Sequence, residues 1–168
     1  MGARKGLQFA PLLVGALIIV MADQATKALV RVKISLYSSI QLISGLLDLT
    51  HVQNRGAAFS FLSKVDNQWV GRGFALLSVV AITIISYIYG ELKENERLLK
   101  FGLILILGGA CGNLLDRLII GSVTDFIDMH INGHHWPAYN IADSCISIGA
   151  VLVAIDWVLR PSPHKVPE

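Results

Sequence analysis

Apolar residues run almost unbroken through four stretches of this chain, about residues 9–30, 69–89, 98–120 and 140–159. Each approaches the ~20 residues that an α-helix needs to cross a bilayer, so the pattern predicts four membrane helices. Between the first two the texture changes. Residues 31–68 are not apolar enough to span; Ile40 to Ile43 and Leu46 to Gln53 are β-branched or alternating, and Ser44-Gly45 between them reads as a turn. This predicts a small sheet on the membrane surface, over about residues 34–62. The expected fold class is an all-α polytopic membrane protein: four transmembrane helices with a small extracytoplasmic β-sheet between helices 1 and 2. The 168 residues form a single membrane-embedded domain.

Local signals sharpen the helices. The first follows a short basic segment with Arg4 and Lys5. Val20-Met21-Ala22 has the look of a signal-peptide cleavage region, but the helical pattern continues through Ala25, Ala28, Leu29 and Val30, so an uncleaved helix is expected. Trp69 at one end of the second run, and Tyr87 and Tyr89 at the other, suit interface anchors. Residues 90–97 form a charged loop. Gly108-Gly109-Ala110-Cys111-Gly112 gives the third helix a small-residue face for close helix contact. Asn140 is a good N-cap for the fourth.

Composition narrows the class. With 54% hydrophobic and only 15% charged residues, the chain falls outside the soluble range. The net charge of +2 is small and no basic stripe carries interleaved aromatics, so no nucleic acid partner is expected. Cys111 and Cys145 lie in apolar runs without a CxxC partner and read as small apolar residues rather than a redox or zinc pair. His134-His135, in a loop between helices, lacks metal-ligand spacing and reads as a wet interfacial turn. Four helices put both termini on one side. Arg4, Lys5, Lys93, Arg97, Lys100, Arg160 and Lys165 face that side and the other seven basic residues face the opposite one. The termini-side segments are much shorter, and long loops weigh little in the positive-inside rule, so cytoplasmic termini are expected.

The candidate chemistry lies between Gly112 and Ser144, which hold Asp116, Asp125, Asp128 and Asp143, with Arg117 beside the first. Carboxylates near bilayer depth are costly and point to function. Asp125 and Asp143 stand where one apolar run ends and the next begins, so antiparallel helices bring both to one membrane face. A facing carboxyl pair is a general acid/base device, because like charges that close cannot both ionise at neutral pH. Helix capping and bundle register are the competing roles. Asp143 sits in the first turn of the fourth helix, where the dipole favours its ionised form. Asn113, Asp116 and Arg117 share a helix face, and an Asp116–Arg117 pair is expected to leave the guanidinium fork free for a substrate carbonyl. Asp23 and Lys27, four apart, suit an ion pair that serves as a simple interfacial pair or as a polar floor beneath a site. Asn54-Arg55-Gly56-Ala57-Ala58-Phe59-Ser60-Phe61 suits a surface gripping an extended main chain, or a packing turn. Asp156 lies roughly 20 Å along the helix from Asp143 and falls outside the site.

Taken together these blocks resemble the bacterial signal peptidase II family, the lipoprotein signal peptidases, which are aspartic membrane peptidases. Asp23-Gln24-x-x-Lys27 resembles the family's first block, Asn54-x-Gly56-Ala57-Ala58-Phe59-Ser60 its second and Gly112-Asn113-x-x-Asp116-Arg117 its third. Val123-x-Asp125-Phe126-Ile127 resembles the fourth and Asn140-x-Ala142-Asp143-Ser144 the fifth. All five stand in the family's order, across about residues 9–160; Tyr139 departs from the Phe usual before the Asn.

The resemblance implies a single peptidase domain in the bacterial inner membrane, with Asp125 and Asp143 as catalytic residues at its outer face. Asp23, Lys27, Asn54, Gly56, Asn113, Asp116, Arg117, Asn140 and Ala142 would bind substrate or support the site. The implied substrate is a prolipoprotein whose cysteine carries a diacylglyceryl group, cut just before that cysteine. No metal or organic cofactor is implied, and membrane lipids and a monomeric state are expected. Three other classes stay open on the residues alone, one of them a non-catalytic assembly or anchor protein in which both aspartates would tolerate alanine. A proton-coupled transporter would place its carboxylates near mid-membrane, usually in repeated halves. A metal-dependent lipid transferase could use Asp116, Asp125 and Asp128 as magnesium ligands.

Overall fold

The computed structural model describes residues 8–56 and 67–160. Its elements are α1 (Ala10–Lys33), β1 (Ser39–Ile43), β2 (Leu47–Asn54), α2 (Asn67–Glu91), α3 (Arg97–Ile119), β3 (Val123–Ile131), β4 (His134–His135) and α4 (Ile141–Leu159). All four helices are long and apolar enough to cross a membrane. They match the four predicted stretches to within a few residues.

Each helix has a local reason to start or stop. Pro11 stands in the first turn of α1, where its missing N–H costs nothing, and Arg31 and Lys33 meet the negative end of its dipole. Asn140 accepts the backbone N–H of Asp143, whose side chain returns to the Asn140 N–H; this reciprocal capping box opens α4. Gly121, at φ +78°, turns the chain out of α3 into β3.

Helix packing relies on glycine. A Cβ on Gly102 would lie 3.0 Å from the Gly149 carbonyl oxygen, and one on Gly149 would lie 2.6 Å from that of Gly102. The α3 and α4 backbones therefore touch directly, as small residues allow. Leu12, Ala16, Ile85, Tyr89, Leu103 and Leu107 form the core between α1, α2 and α3. Outside it, Leu17, Met21, Leu76, Leu77, Val151 and Trp157 are exposed, which suits lipid contact. Tyr87 is exposed, but Tyr89 is 3% exposed and packs on Phe9, so it is a core residue and not the interface anchor that its position suggested.

The structure corrects the expected fold class, because the protein is not all-α. The sheet has four antiparallel strands in the order β1-β2-β3-β4, and half of it comes from the connection between α3 and α4. His134 and His135 are strand residues, not an interfacial turn. The β1–β2 turn contains Gly45 at φ +74°, and Asn132-Gly133, both at positive φ, closes the β3–β4 hairpin. Pairing of β2 with β3 sets Val52 opposite Asp125 and Asn54 opposite Val123. A second small core of Val30, Ile34 and Phe126 seats the sheet on the end of α1. The expected stretch from Ala57 to Phe61 lies outside the described residues.

Candidate active site

Asp125 is the third residue of β3 and is 2% exposed. Asp143, half-buried, stands in the first turn of α4. Both line a cleft of about 820 Å³ with Asn54, Tyr139, Ser144 and Trp136 among its other walls. Each carboxylate is held by asparagine. Asn54 Nδ2 donates to Asp125 Oδ2 at 3.0 Å and Asn140 Nδ2 donates to Asp125 Oδ1 at 2.7 Å. Asn113 Nδ2 donates to Asp143 Oδ1 at 2.7 Å, and the Asn140 backbone N–H donates to Asp143 Oδ2 at 3.2 Å.

The network around them fixes which way the amides point. Lys27 Nζ donates to Asn113 Oδ1 at 3.0 Å. An ammonium can only donate, so the Asn113 oxygen faces it and the amide nitrogen turns toward Asp143. Likewise the Asn140 oxygen takes the Asp143 backbone N–H at 3.0 Å, which turns its nitrogen toward Asp125. Amide orientation here follows from donors that cannot be exchanged.

Beneath lies a fully buried ionic layer. Lys27 Nζ is 2.8 Å from Asp23 Oδ2 and 3.4 Å from Asp116 Oδ2, all three side chains having no exposure. A buried charge must be paired and its remaining lone pairs bonded. Asp23 Oδ1 accordingly accepts the Ala142 N–H at 3.0 Å, and Asp116 Oδ2 accepts the Thr124 N–H at 2.9 Å. Ala142 is fully buried, and a Cβ on Gly112 would lie 2.6 Å from Asp23 Oδ2, so neither position has room for a larger side chain. This layer ties α1, α3, β3 and α4 together directly under the two aspartates.

One expected pairing is overturned. Asp116 binds Lys27 and Arg31, at 3.4 Å to the latter, and Arg117 instead donates to the Asn113 carbonyl at 3.2 Å. Adjacent helix residues point about 100° apart, which sends Asp116 inward and Arg117 toward the rim. Arg117 also lies over the Phe74 ring at 5.4 Å. Gly56, at φ +94°, donates its N–H to Asn54 Oδ1 at 2.8 Å; this turns the Asn54 amide nitrogen toward Asp125.

Burial is the main influence on Asp125, which lies in a strand outside the four helices. It pushes the carboxyl up to about 6, with the neighbouring Asp143 charge adding and the Asn54 and Asn140 donors opposing. A carboxyl so placed can hold or release a proton near neutral pH, as a general acid/base must.

The model of the family described as signal peptidase (SPase) II matches residues 15–159. The chain belongs to the signal peptidase II family. A relative in Geobacter sulfurreducens, named lipoprotein signal peptidase, is 42% identical over 159 residues, covering 95% of this chain and 96% of its own. One of the same name in Burkholderia mallei is 42% identical over 156 residues, covering 93% and 92%. A bacterial membrane enzyme solved by the in meso method at 2.3 Å resolution superposes with a TM-score of 0.79 at 29% identity, over 94% of this chain and 93% of its own.

Of the residues singled out from sequence in this signal peptidase II chain, Asp23, Lys27, Asn54, Asn113, Asp116, Asn140, Ala142, Asp125 and Asp143 fall in one continuous hydrogen-bonded network. Asp128 is elsewhere, bonded to His135 at 2.9 Å. Asp156 pairs with Arg160 at the far end of α4. Sequence reasoning missed Arg31 and Thr124 and gave Gln24, though it stands in the first block, no role of its own. Gln24 Nε2 bridges Asp23, Asp116 and the Gly112 carbonyl, and Arg31 reaches Thr124 Oγ1 at 3.1 Å. The signal for Arg31 was spacing: it stands four residues beyond Lys27, on the same helix face.

Proposed function

We propose that Asp125 and Asp143 are the catalytic dyad of a single peptidase domain spanning residues 1–168, which cuts prolipoproteins just before a diacylglyceryl-modified cysteine. The protein is an aspartic endopeptidase that removes signal peptides from prolipoproteins, as its family does. The observation that carries the dyad is that both carboxylates line one cleft while asparagines on three different elements hold them.

In this reading Asp143, held by the Asn113 amide and the Asn140 backbone N–H, acts as the base and takes a proton from a water held between the pair. Asp125, protonated, donates to the scissile carbonyl oxygen as water attacks and the carbon becomes tetrahedral. Collapse breaks the C–N bond: Asp143 gives its proton to the leaving amine while Asp125 takes one back from a hydroxyl of the tetrahedral diol, so the dyad again holds a single proton. Asn54, Asn113 and Arg117 position the peptide, Gly56 lets its main chain approach, and Asp23, Lys27, Asp116, Asn140 and Ala142 fix the dyad. On the same reading the site lies at the outer boundary of the inner membrane, both termini are cytoplasmic, and the protein works as a monomer among membrane lipids. Two acyl chains anchor a peptide durably in one leaflet, which delivers the bond before the modified cysteine to the depth of the dyad.

A magnesium-dependent transferase is disfavoured by the partners of its three candidate ligands. Asp116 is committed to Lys27 and Arg31, Asp125 to Asn54 and Asn140, and Asp128 to His135. The test compares kcat/KM for matched precursor peptides with and without the diacylglyceryl group, in one detergent and in the presence of EDTA. Strong preference for the lipidated peptide, undiminished by EDTA, is expected. Equal processing of both peptides would remove the lipid from recognition, and loss of activity restored by magnesium would favour the transferase.

A further inference from the structure

Thr124 directly precedes Asp125 on β3 and has no exposure. Each of its polar groups is bonded, and each to a different part of the helix bundle. The backbone N–H donates to Asp116 Oδ2 on α3 at 2.9 Å, and the carbonyl accepts Asn140 Nδ2, at the start of α4, at 3.3 Å. The hydroxyl accepts Nη1 of Arg31, on α1, at 3.1 Å. The same Nη1 lies 3.4 Å from Asp116 Oδ1, so Arg31, Asp116 and Thr124 close a ring of three hydrogen bonds. A guanidinium only donates, and its planar fork dictates where its two acceptors stand.

This ring bears on the acid beside it. Asn140 Nδ2, which reaches the Thr124 carbonyl, also donates to Asp125 Oδ1 at 2.7 Å. The peptide joining Thr124 to Asp125 and the Asp125 carboxyl therefore share one donor, and a rotation of that peptide disturbs both. The ladder with β2 does not hold it alone, because the register shifts between Leu49 and Val52, immediately beyond the pair of Val52 with Asp125. Neither Arg31 nor Thr124 lines the cleft, and the family's sequence blocks give neither of them a role. Resting on the reading of Asp125 as a catalytic acid, we propose that Arg31 and Thr124 are positioning residues for it. Their hydrogen bond fixes the Thr124–Asp125 peptide, and so the place from which the Asp125 carboxyl meets substrate. A misplacement of about 1 Å at such a group costs roughly 10²-fold in rate.

Thr124→Val keeps the shape of the side chain and removes the acceptor. Cleavage of a lipidated precursor by the full-length protein in detergent reads the effect, with Tm measured for every variant. We expect kcat to fall about tenfold or more while KM stays within about twofold, because the change lies behind the acid and outside the cleft. Thr124→Ser returns the hydroxyl and should recover most of the lost kcat. Arg31→Gln should lower kcat in the same way, and adding Thr124→Val to it should cost little more, since the bond is already gone. A lowered Tm with unchanged kcat in Thr124→Val would make the contact a strap between sheet and helices and overturn the proposal. So would losses that multiply in the double variant, or a Thr124→Ser as slow as Thr124→Val. Should Thr124→Val fail to fold, Arg31→Gln carries the test: its side chain is 26% exposed and its loss leaves Asp116 with Lys27, so wild-type kcat there refutes the role. Asp125→Asn, assayed alongside, separates the two readings. If it is inactive while Thr124→Val turns over normally, only the positioning role fails; if it is itself near normal, the dyad fails and the positioning role with it.

Discussion

Asn113 donates its amide to Asp143 at 2.7 Å across the interface of α3 and α4. Its oxygen is simultaneously committed to Lys27 on α1. One side chain thus transmits the position of a buried cation to a carboxylate at the cleft, and several expected outcomes follow from how such groups behave when a partner is removed.

Asp125→Asn and Asp143→Asn should each lower kcat by about 10³-fold or more, because general acid and base roles each contribute up to about 10⁴. Both variants keep a polar group in place, so thermal unfolding in detergent should stay close to wild type. Cleavage of a lipidated precursor is the measurement. Near-normal turnover in either variant sinks the dyad.

Activity should fall on the alkaline side as Asp125 loses its proton, with a limb near pH 6. The Asn54 donor stabilises the ionised form, so its removal in Asn54→Ala should raise the carboxyl further and move that limb to higher pH. The stability sign is the reverse of a salt-bridged carboxylate. A folded value above the usual 3.8 means that the native state binds more protons, so this contribution is full below pH 3.8 and lost as pH rises through about 6. The pH profile of kcat for wild type and Asn54→Ala decides it; a limb that does not move would mean that another group titrates.

Lys27→Met should be far more damaging to folding than its conservative size suggests. It strands Asp23 as an unpaired buried carboxylate and leaves Asp116, among the described residues, only its ion pair with Arg31, a loss of about 3–5 kcal/mol. The expected reading is a large drop in Tm, partly relieved when Asp23→Asn is added. No drop would show that water reaches this layer.

Asp156→Asn should leave kcat and KM within about twofold of wild type, as surface changes away from a site usually do. Asp156 pairs with Arg160, which also reaches Glu96 at 2.7 Å, at the opposite end of α4 from Asp143. A defect as large as that of Asp143→Asn would contradict the course of this helix.

The four helices were legible because length and continuous apolarity leave little choice, and Asn140 announced the start of α4. The strand β3 was not. Its first four residues are all buried, so they lack the alternation that marks a half-exposed strand, and they directly follow a membrane helix. Asn132-Gly133 carried a hairpin signal that reveals the β3–β4 turn once it is weighed with its flanks. The site's acids and asparagines were legible as residue types, but the partner of Asp116 was not. Neighbours in sequence suggest a pair, whereas helix geometry turns Arg117 away and reaches Lys27 and Arg31 on another helix. Tyr89 misled for a related reason: an aromatic at a helix end faces lipid or a neighbouring helix according to rotation, which no single position reports.

The pairing of β2 with β3 has a consequence for how the enzyme comes into being. Asn54 belongs to the first connection and Asp125 to the third, and they meet only through this strand pair. A nascent chain that has released only its first two helices therefore carries the grip but neither of the acids, and leaves the edge of β2 open. Strand edges invite foreign partners, so synthesis of the second half closes that vulnerability in the same step that creates a working protease. On the proposed dyad, a chain that stops before α4 lacks Asp143 and has no proteolytic competence.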